Sequence, residues 1–229
     1  MQTIGMLGGM SWESTALYYR SINELVRQAL GGLHSAKIVM HSVDFHTIEA
    51  LQRAAQWDQA GALLGQAAQG LQQAGADFII ICTNTMHRVA PQISHHIDIP
   101  ILHLADATAA RLKQAGFDSV GLLGTAYTME QDFYIQRIEA QGIQVVVPSS
   151  AERDEVSRII FSELCVGVVT TSSRHYYVQV IESMGRQGVQ AVIQGCTEIA
   201  LLVQPRHTHM PLFDTTLIHA EEAVKRALA

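Results

Sequence analysis

The sequence repeats itself at a separation of about half its length. Residues 3–9 (Thr-Ile-Gly-Met-Leu-Gly-Gly) match residues 119–125 (Ser-Val-Gly-Leu-Leu-Gly-Thr), and residues 75–84 match residues 188–197. The two matches have nearly the same separation, so chance similarity between apolar strands is the weaker explanation. The repeat therefore predicts two similar halves in this chain of 229 residues.

Short apolar runs alternate with longer amphipathic stretches in both halves. In the first half, residues 3–7, 37–43 and 77–81 are typical of strands, while residues 11–30 and 58–73 have helical spacing. Strands that alternate with helices favour a parallel sheet that is covered on both faces. The sequence predicts an α/β fold in each half.

The two halves are expected to share the chain unequally, because a last strand and helix follow the second copy of the repeat. We assign residues 1–102 together with 211–229 to the first α/β domain, and residues 103–210 to the second. At 229 residues, either one large domain or two small ones is within the usual range of domain sizes. The repeat decides in favour of two.

Composition and charge narrow the class of protein. Apolar residues make up 48% of the chain and charged residues 16%, which is the balance of a globular protein with a core. The net charge is −6 and no basic stripe occurs, which argues against a nucleic-acid partner. The apolar runs are far shorter than the roughly 20 residues of a membrane helix, and the N-terminus lacks the pattern of a signal peptide. We therefore expect a cytoplasmic protein with no membrane partner.

Four loops follow strands at matching positions of the two halves. They span residues 8–11, 83–87, 124–128 and 195–198. In open parallel sheets, ligands bind at the carboxyl ends of the strands. Two similar halves are expected to direct these loops at one active-site cleft between the domains, with Thr83 opposite Cys196.

Cys196 carries the strongest chemical signal in these loops. It follows Gly195 at the end of a strand and precedes Thr197 and Glu198, where the pattern predicts the start of a helix. A thiolate at a helix N-terminus is stabilised by the helix dipole and by unpaired N–H groups, whereas the charge of Glu198 would oppose it. A reactive thiol and a small buried cysteine both remain open at this point.

Other polar residues of the loops could bind a substrate. Asn84, Thr85 and Thr125 lie at matching turns and offer N–H and hydroxyl donors to an anion such as a carboxylate. His87 lies three residues after Asn84, where it either faces the cleft or makes a structural hydrogen bond. Both interpretations stay open.

The two remaining cysteines are expected to pack in the core rather than to take part in a reaction. Successive strand residues point to opposite faces, so Cys82 should face the core if Thr83 faces the cleft. Cys165 lies in an apolar stretch with helical spacing and is also expected to pack. Three cysteines without close pairing suggest neither a disulfide framework nor a zinc site, and no dinucleotide or Walker motif occurs. We expect no metal and no cofactor.

At these loops the chain resembles the aspartate/glutamate racemase superfamily, and in particular its aspartate racemase branch. The resemblance rests on residues 4–10 (Ile-Gly-Met-Leu-Gly-Gly-Met), 82–87 (Cys-Thr-Asn-Thr-Met-His) and 195–198 (Gly-Cys-Thr-Glu), and it runs essentially end to end. It implies two pseudo-symmetric flavodoxin-like domains, a homodimer, and catalysis without pyridoxal phosphate (PLP) or metal. Members of the family place one cysteine on each face of the substrate Cα, one to remove a proton and the other to return one.

The sequence departs from this family in three places. Thr83 occupies the position of the first catalytic cysteine. Where aspartate-specific relatives carry an arginine for the distal carboxylate, this chain has Ile48, with Gln52 and Arg53 nearby, and a lysine used similarly aligns with Cys165. The resemblance therefore implies a PLP-independent racemase for aspartate and glutamate or for a broader set of polar amino acids.

The resemblance also implies a set of site residues. Cys196 is expected to remove the Cα proton, with Thr83 or a water on the opposite face, and Glu198 and His87 are expected to assist. The residues expected to bind the substrate are Met10, Gln52, Asn84, Thr85, Thr125 and Thr197. Two other functions stay open: a decarboxylase of the same superfamily that uses a single cysteine on malonates, and an amino-acid-binding protein without catalytic activity.

Overall fold

A computed structural model describes residues 1–229 as two compact units of α/β structure. Unit 1 comprises residues 1–104 and 219–229, and unit 2 comprises residues 105–218. The chain returns to unit 1 at His219 and not at residue 211, because the strand Leu212–Asp214 is hydrogen-bonded into the sheet of unit 2. The compact units thus divide the chain after residues 104 and 218, whereas the assignment from the sequence divides it after residues 102 and 210.

Unit 1 contains a parallel sheet in the order β2-β1-β3. Its elements, in chain order, are β1 (Ile4–Gly8), α1 (Trp12–Leu30), β2 (Ile38–Ser42), α2 (Phe45–Arg53), α3 (Trp57–Gln73), β3 (Phe78–Ile81), the 3₁₀ helix Thr85–Val89 and α4 (Ala90–Ser94). Strands β1 and β3 are buried along their whole length, as expected of strands covered on both faces.

Unit 2 contains a parallel sheet in the order β5-β4-β6-β7. Its elements are α5 (Leu104–Gln114), β4 (Ser119–Leu123), α6 (Ala126–Glu130), α7 (Asp132–Glu139), β5 (Gln144–Val146), α8 (Ser150–Ser162), the 3₁₀ helix Leu164–Val166, α9 (Thr171–Arg186), β6 (Ala191–Gln194), α10 (Ile199–Leu202), the 3₁₀ helix Pro205–His207, β7 (Leu212–Asp214) and α11 (Thr215–Leu228), which continues into unit 1. None of the helices is both long enough and apolar enough to cross a membrane.

The internal repeat is reproduced in the register of the two sheets. Gly5 of β1 lies opposite Ile79 of β3, and Gly121 of β4 lies opposite Val192 of β6. In both sheets the first strand also pairs with the second, in parallel. The fourth strand of unit 2 corresponds in unit 1 to a single parallel bridge between Ile79 and Ile101. The predicted α/β fold with parallel sheets flanked by helices is confirmed.

The core of unit 1 is closed by the returning segment of the chain. On one face of the sheet, Ile4 and Tyr18 pack together with Ala220, Ala223 and other small residues of α11. Apolar residues of α3 and the segment that follows β3 cover the other face. Residues of α11 therefore complete a core whose other members lie in the first segment of unit 1.

Gly9 fixes the turn that follows β1. Its φ is +90°, and a Cβ atom here would overlap the backbone oxygen of Val43. We expect Gly9→Ala to lower the free energy of unfolding by about 3 kcal/mol, because both the dihedral angle and the overlap must be accommodated. Gly31→Ala is the matched control, because Gly31 has a φ of +76° but no neighbour within 4 Å. Urea unfolding measures both, and equal losses would contradict the argument from Val43.

Candidate active site

The loops expected to carry function lie at the carboxyl ends of the strands within each unit. In unit 1 they follow β1 and β3, and in unit 2 they follow β4 and β6. Nowhere in the chain are three or more His, Cys, Asp or Glu side chains grouped so that they could hold a metal ion.

In the turn after β1, backbone groups rather than side chains are available for contact with a ligand. The Gly9 N–H donates to the Thr15 hydroxyl at 2.8 Å, which holds the turn against α1. Met10, expected to contact the substrate, is only 3% exposed and lies in the same apolar cluster as Ile48 and Leu64. Its side chain therefore packs in the core, and any contact with a substrate falls to its backbone.

The turn after β3 begins with the two residues that the sequence assigns opposite roles. Cys82 is fully buried in the apolar cluster with Ile80, and burial raises the pKa of its thiol. Thr83 and Thr85 are partly exposed, while Asn84 is nearly buried. The prediction that Cys82 packs in the core is confirmed, and Thr83 and Thr85 are the residues of this turn with accessible side chains.

His87 makes structural hydrogen bonds with both of its ring nitrogens. Its Nδ1 lies 2.8 Å from the Thr83 carbonyl oxygen, and its Nε2 lies 3.2 Å from the Leu104 backbone nitrogen. A carbonyl only accepts and a backbone N–H only donates, so the ring is neutral with its proton on Nδ1. Burial, followed by the charges of His103 and His219, lowers its pKa well below the ordinary value. Of the two interpretations of His87, the structure supports the structural hydrogen bond.

The positions expected to contact a substrate side chain in unit 1 carry no available cation. Ile48, which the resemblance places at the position of an arginine, is completely buried in the core. Arg53 is exposed and pairs with Glu49 at 2.7 Å. Gln52 is half-buried, and its amide contacts the sulfur of Met86. The one cation among these positions is therefore already paired, and Gln52 is the neutral polar group beside it.

Cys196 is a protonated thiol at rest. Its Sγ donates a hydrogen bond to the carboxylate of Glu198 at 2.9 Å. Burial, and then the charge and hydrogen bond of Glu198, raise the pKa of the thiol well above its ordinary value. The helix dipole offers a thiolate little stabilisation here, because α10 is a single turn of four residues that starts only at Ile199.

The two turns of unit 2 pack directly against each other. The Gly195 N–H donates to the Leu123 carbonyl at 2.6 Å, which joins the ends of β6 and β4. Thr125 and Thr197 are nearly buried, and the Thr125 hydroxyl lies 3.3 Å from the Thr128 hydroxyl. The structure therefore brings Thr125 and Thr197 to the same end of the sheet as Cys196.

Cys165 does not pack in a core. It is exposed and lies in the 3₁₀ helix Leu164–Val166, after α8 has ended. The charge of Cys165 is among those that raise the pKa of Cys196, so the two thiols belong to the same part of unit 2. Gly167, which adopts a left-handed conformation at the end of this turn, is the signal in the sequence that could have interrupted the expected helix.

Glu198→Gln is expected to make the Cys196 thiol more reactive. Glutamine keeps the size and an acceptor oxygen but removes the charge, so the pKa of Cys196 falls and the thiolate fraction rises at any pH below it. We expect alkylation of Cys196 by iodoacetamide at pH 8 to become about fivefold faster. Peptide mass spectrometry separates this thiol from Cys165, and Glu139→Gln, at an exposed position of α7, is the control. A slower reaction would contradict the assignment.

Comparison with known proteins identifies the family to which the chain is similar. The sequence matches the family described as Asp/Glu/hydantoin racemase over residues 7–223. Among curated proteins, it is 20% identical over 229 residues to the broad specificity amino-acid racemase RacX of Bacillus subtilis, an alignment that covers 99% of this chain and 98% of RacX.

Two solved structures resemble the whole chain. A candidate Asp/Glu racemase from Yersinia pestis is 53% identical, with a TM-score of 0.96 and 100% coverage of both chains. PH1733 from Pyrococcus horikoshii, an aspartate racemase homologue, is 32% identical, with a TM-score of 0.89 and again 100% coverage of both chains.

Proposed function

Because this chain belongs to the Asp/Glu/hydantoin racemase family, we propose that it is a PLP-independent amino-acid racemase. The observation that carries the proposal is the hydrogen bond from the Cys196 thiol to the Glu198 carboxylate at the carboxyl end of β6. This pair supplies a thiol and a proton acceptor in contact with it, which proton transfer at a weakly acidic carbon requires.

The proposed reaction begins with proton transfer between these two residues. Cys196 gives its proton to Glu198, and the resulting thiolate takes the proton from the substrate Cα, so that the thiol is restored. The carbanion-like intermediate then accepts a proton on its other face from the Thr83 hydroxyl or from a water. Glu198 finally gives up its proton, through solvent, to the alkoxide of Thr83 or to the hydroxide left by the water, which restores the starting protonation states.

Thr83 makes the two faces of the reaction unequal. A threonine hydroxyl is far too weak an acid to exist as a base near neutral pH, so it can donate or relay a proton but cannot stand in for a thiolate. We propose that Cys196 is the only competent base and acts on the L enantiomer. Asn84, Thr85, Thr125 and Thr197 are proposed to bind the α-carboxylate through N–H and hydroxyl donors, as in other oxyanion-binding sites.

The side-chain preference is proposed to be broad and polar rather than strict for aspartate. Ile48 is buried in the core and Arg53 is paired with Glu49, so neither offers a free cation to a second carboxylate. Arg88 lies over the Trp57 ring at 4.1 Å, which directs its charge to an aromatic face. Gln52 remains as a neutral hydrogen-bonding group, consistent with substrates that include glutamate but extend to uncharged amino acids.

Solvent-deuterium incorporation at Cα tests this function. A panel of L-amino acids is incubated in D₂O with the protein and with a Cys196→Ser variant, and chirality is followed in parallel. Exchange with inversion that is lost in the variant supports the racemase and names its substrate. Absence of exchange with every amino acid contradicts it, and carbon dioxide release from a substituted malonate would then identify the single-cysteine decarboxylase.

Homodimer formation and a cytoplasmic location, both expected from the sequence and the resemblance, belong to the same proposal. Sedimentation equilibrium of the purified protein and fractionation of cells test them. A monomer at micromolar concentration would contradict the first, and recovery outside the cytoplasmic fraction would contradict the second.

A further inference from the structure

Two buried side chains that lie 201 residues apart in the sequence are joined by a hydrogen bond in unit 1. The Tyr18 hydroxyl of α1 lies 2.9 Å from Nδ1 of His219, and Nε2 of His219 lies 2.8 Å from the Leu102 carbonyl oxygen. The carbonyl can only accept, so Nε2 carries the proton, Nδ1 accepts, and the tyrosine donates. The direction of both bonds is therefore fixed.

The same short segment is bonded to His87. Leu104, two residues after Leu102, donates its N–H to Nε2 of His87, and Nδ1 of His87 donates to the Thr83 carbonyl. The hydrogen bonds thus form a continuous link from Tyr18 through His219, the backbone of residues 102–104 and His87 to Thr83. The two histidines have opposite tautomers, each set by its backbone partner.

The link is buried, and its groups are uncharged near neutral pH. Tyr18, His87 and His219 are each at most 2% exposed, and the rings of the two histidines lie 5.7 Å apart. Burial lowers the pKa of His219 to about 4. The groups that act on the charge of His87 are the imidazoles of His103 and His219 and backbone hydrogen bonds, with no carboxylate among them. Because these groups are neutral and their donors and acceptors are fixed, the hydrogen bonds constrain the positions of the side chains and carry no charge.

The link also sits where the chain passes between the two units. Leu104 is the last residue of the first segment of unit 1, and His219 is the first residue of the returning segment. One set of hydrogen bonds therefore holds the departing chain, the returning chain and the turn that carries Thr83.

We propose that Tyr18 and His219 are positioning residues for Thr83, which they hold through His87. This inference rests on the proposed racemase, in which Thr83 serves proton return on one face of Cα and Cys196 serves removal on the other. Loosening the link should impair the return step and leave removal by Cys196 intact. Neither residue contacts the reacting atoms.

Tyr18→Phe tests the proposal, because it removes only the hydroxyl that donates to His219. We expect the ratio of inversion to Cα deuterium exchange to fall about fivefold, the value of one net hydrogen bond. Exchange catalysed by Cys196 should stay within about twofold of the unaltered protein, because the bond lies in the other unit of the fold. Tyr19→Phe is the matched control, since Tyr19 is the neighbouring tyrosine and is 51% exposed.

A second pair of variants guards against a fault in folding. His219→Gln keeps a donor for Leu102 and should lower the ratio less than His219→Leu, which keeps none. A general loss of structure would reduce exchange and inversion together, and that result, or an unchanged ratio in Tyr18→Phe, overturns the positioning role. Absence of exchange in the unaltered protein would instead contradict the racemase itself, so the two failures are distinguishable.

Discussion

Cys196→Ser is expected to slow Cα hydrogen exchange by about a thousandfold, the largest single effect that the structure predicts. A serine hydroxyl fills the space of the thiol and can still donate to Glu198, but it is too weak an acid to become a base at neutral pH. Deuterium incorporation into a substrate L-amino acid measures the loss. Substrate binding, measured by calorimetry, should change little.

Cys165→Ser is the matched control for this substitution. Cys165 is the other thiol of unit 2 and is exposed, whereas Cys196 is partly buried. Exchange should stay within about threefold of the unaltered protein, since a surface residue is being replaced by one of similar size. Equal losses from both substitutions would contradict the assignment of Cys196 as the base.

The pH dependence of exchange follows from the state of the same thiol. Its pKa is raised, so the thiolate fraction, and with it the exchange rate, should still be increasing above pH 8 rather than levelling off near neutrality. Glu198→Gln lowers the pKa of Cys196 and should move the rise of its thiolate fraction, followed by iodoacetamide alkylation, to lower pH. A rate that falls as the pH increases from 7 to 9 would be inconsistent with a thiolate base.

Thr83→Cys is expected to raise turnover from the D enantiomer by about tenfold or more. In the proposed mechanism the substitution places a thiol at the residue that returns the proton, so a competent base becomes available on the second face. The equilibrium constant between enantiomers is one, so kcat/KM must rise equally in both directions, while kcat from the D enantiomer shows the gain directly. Polarimetry started from each enantiomer measures both.

Thr83→Ser is the control for this gain of activity. Serine keeps the hydroxyl and its ability to relay a proton, so it should not reproduce the effect of cysteine. Thr83→Val removes the hydroxyl at nearly constant volume and should lower inversion if the hydroxyl itself relays the proton. Unchanged rates in all three variants would remove Thr83 from the mechanism and leave the return step to water.

The fold could be predicted from the sequence because its evidence is local and repeated. The glycines at positions 5 and 121 mark equivalent strands, and the structure pairs them with equivalent residues of β3 and β6. The burial of Cys82 could be predicted because side chains alternate between the two faces along a strand. Each of these features depends on a few neighbouring residues, which a pattern can represent.

The details of the site could not be predicted from the sequence in the same way. The protonated state of Cys196 depends on the length of α10, a single turn, and on the direction of the Glu198 side chain. His219 belongs to no motif, and it reaches His87 only because α11 returns to unit 1. Such features arise from tertiary packing, so local patterns do not contain them.

The divided course of unit 1 has a consequence for the newly made chain. Residues 105–218 form unit 2 as one uninterrupted stretch. The apolar face around Ile4 and Tyr18, in contrast, is covered only after Ala220 and Ala223 have been synthesised. At usual rates of synthesis this face stays uncovered for on the order of ten seconds while unit 2 emerges from the ribosome. The first half of the protein to be translated is therefore the last to complete its core, and during that interval it is the part of the nascent chain most exposed to chaperones and to aggregation.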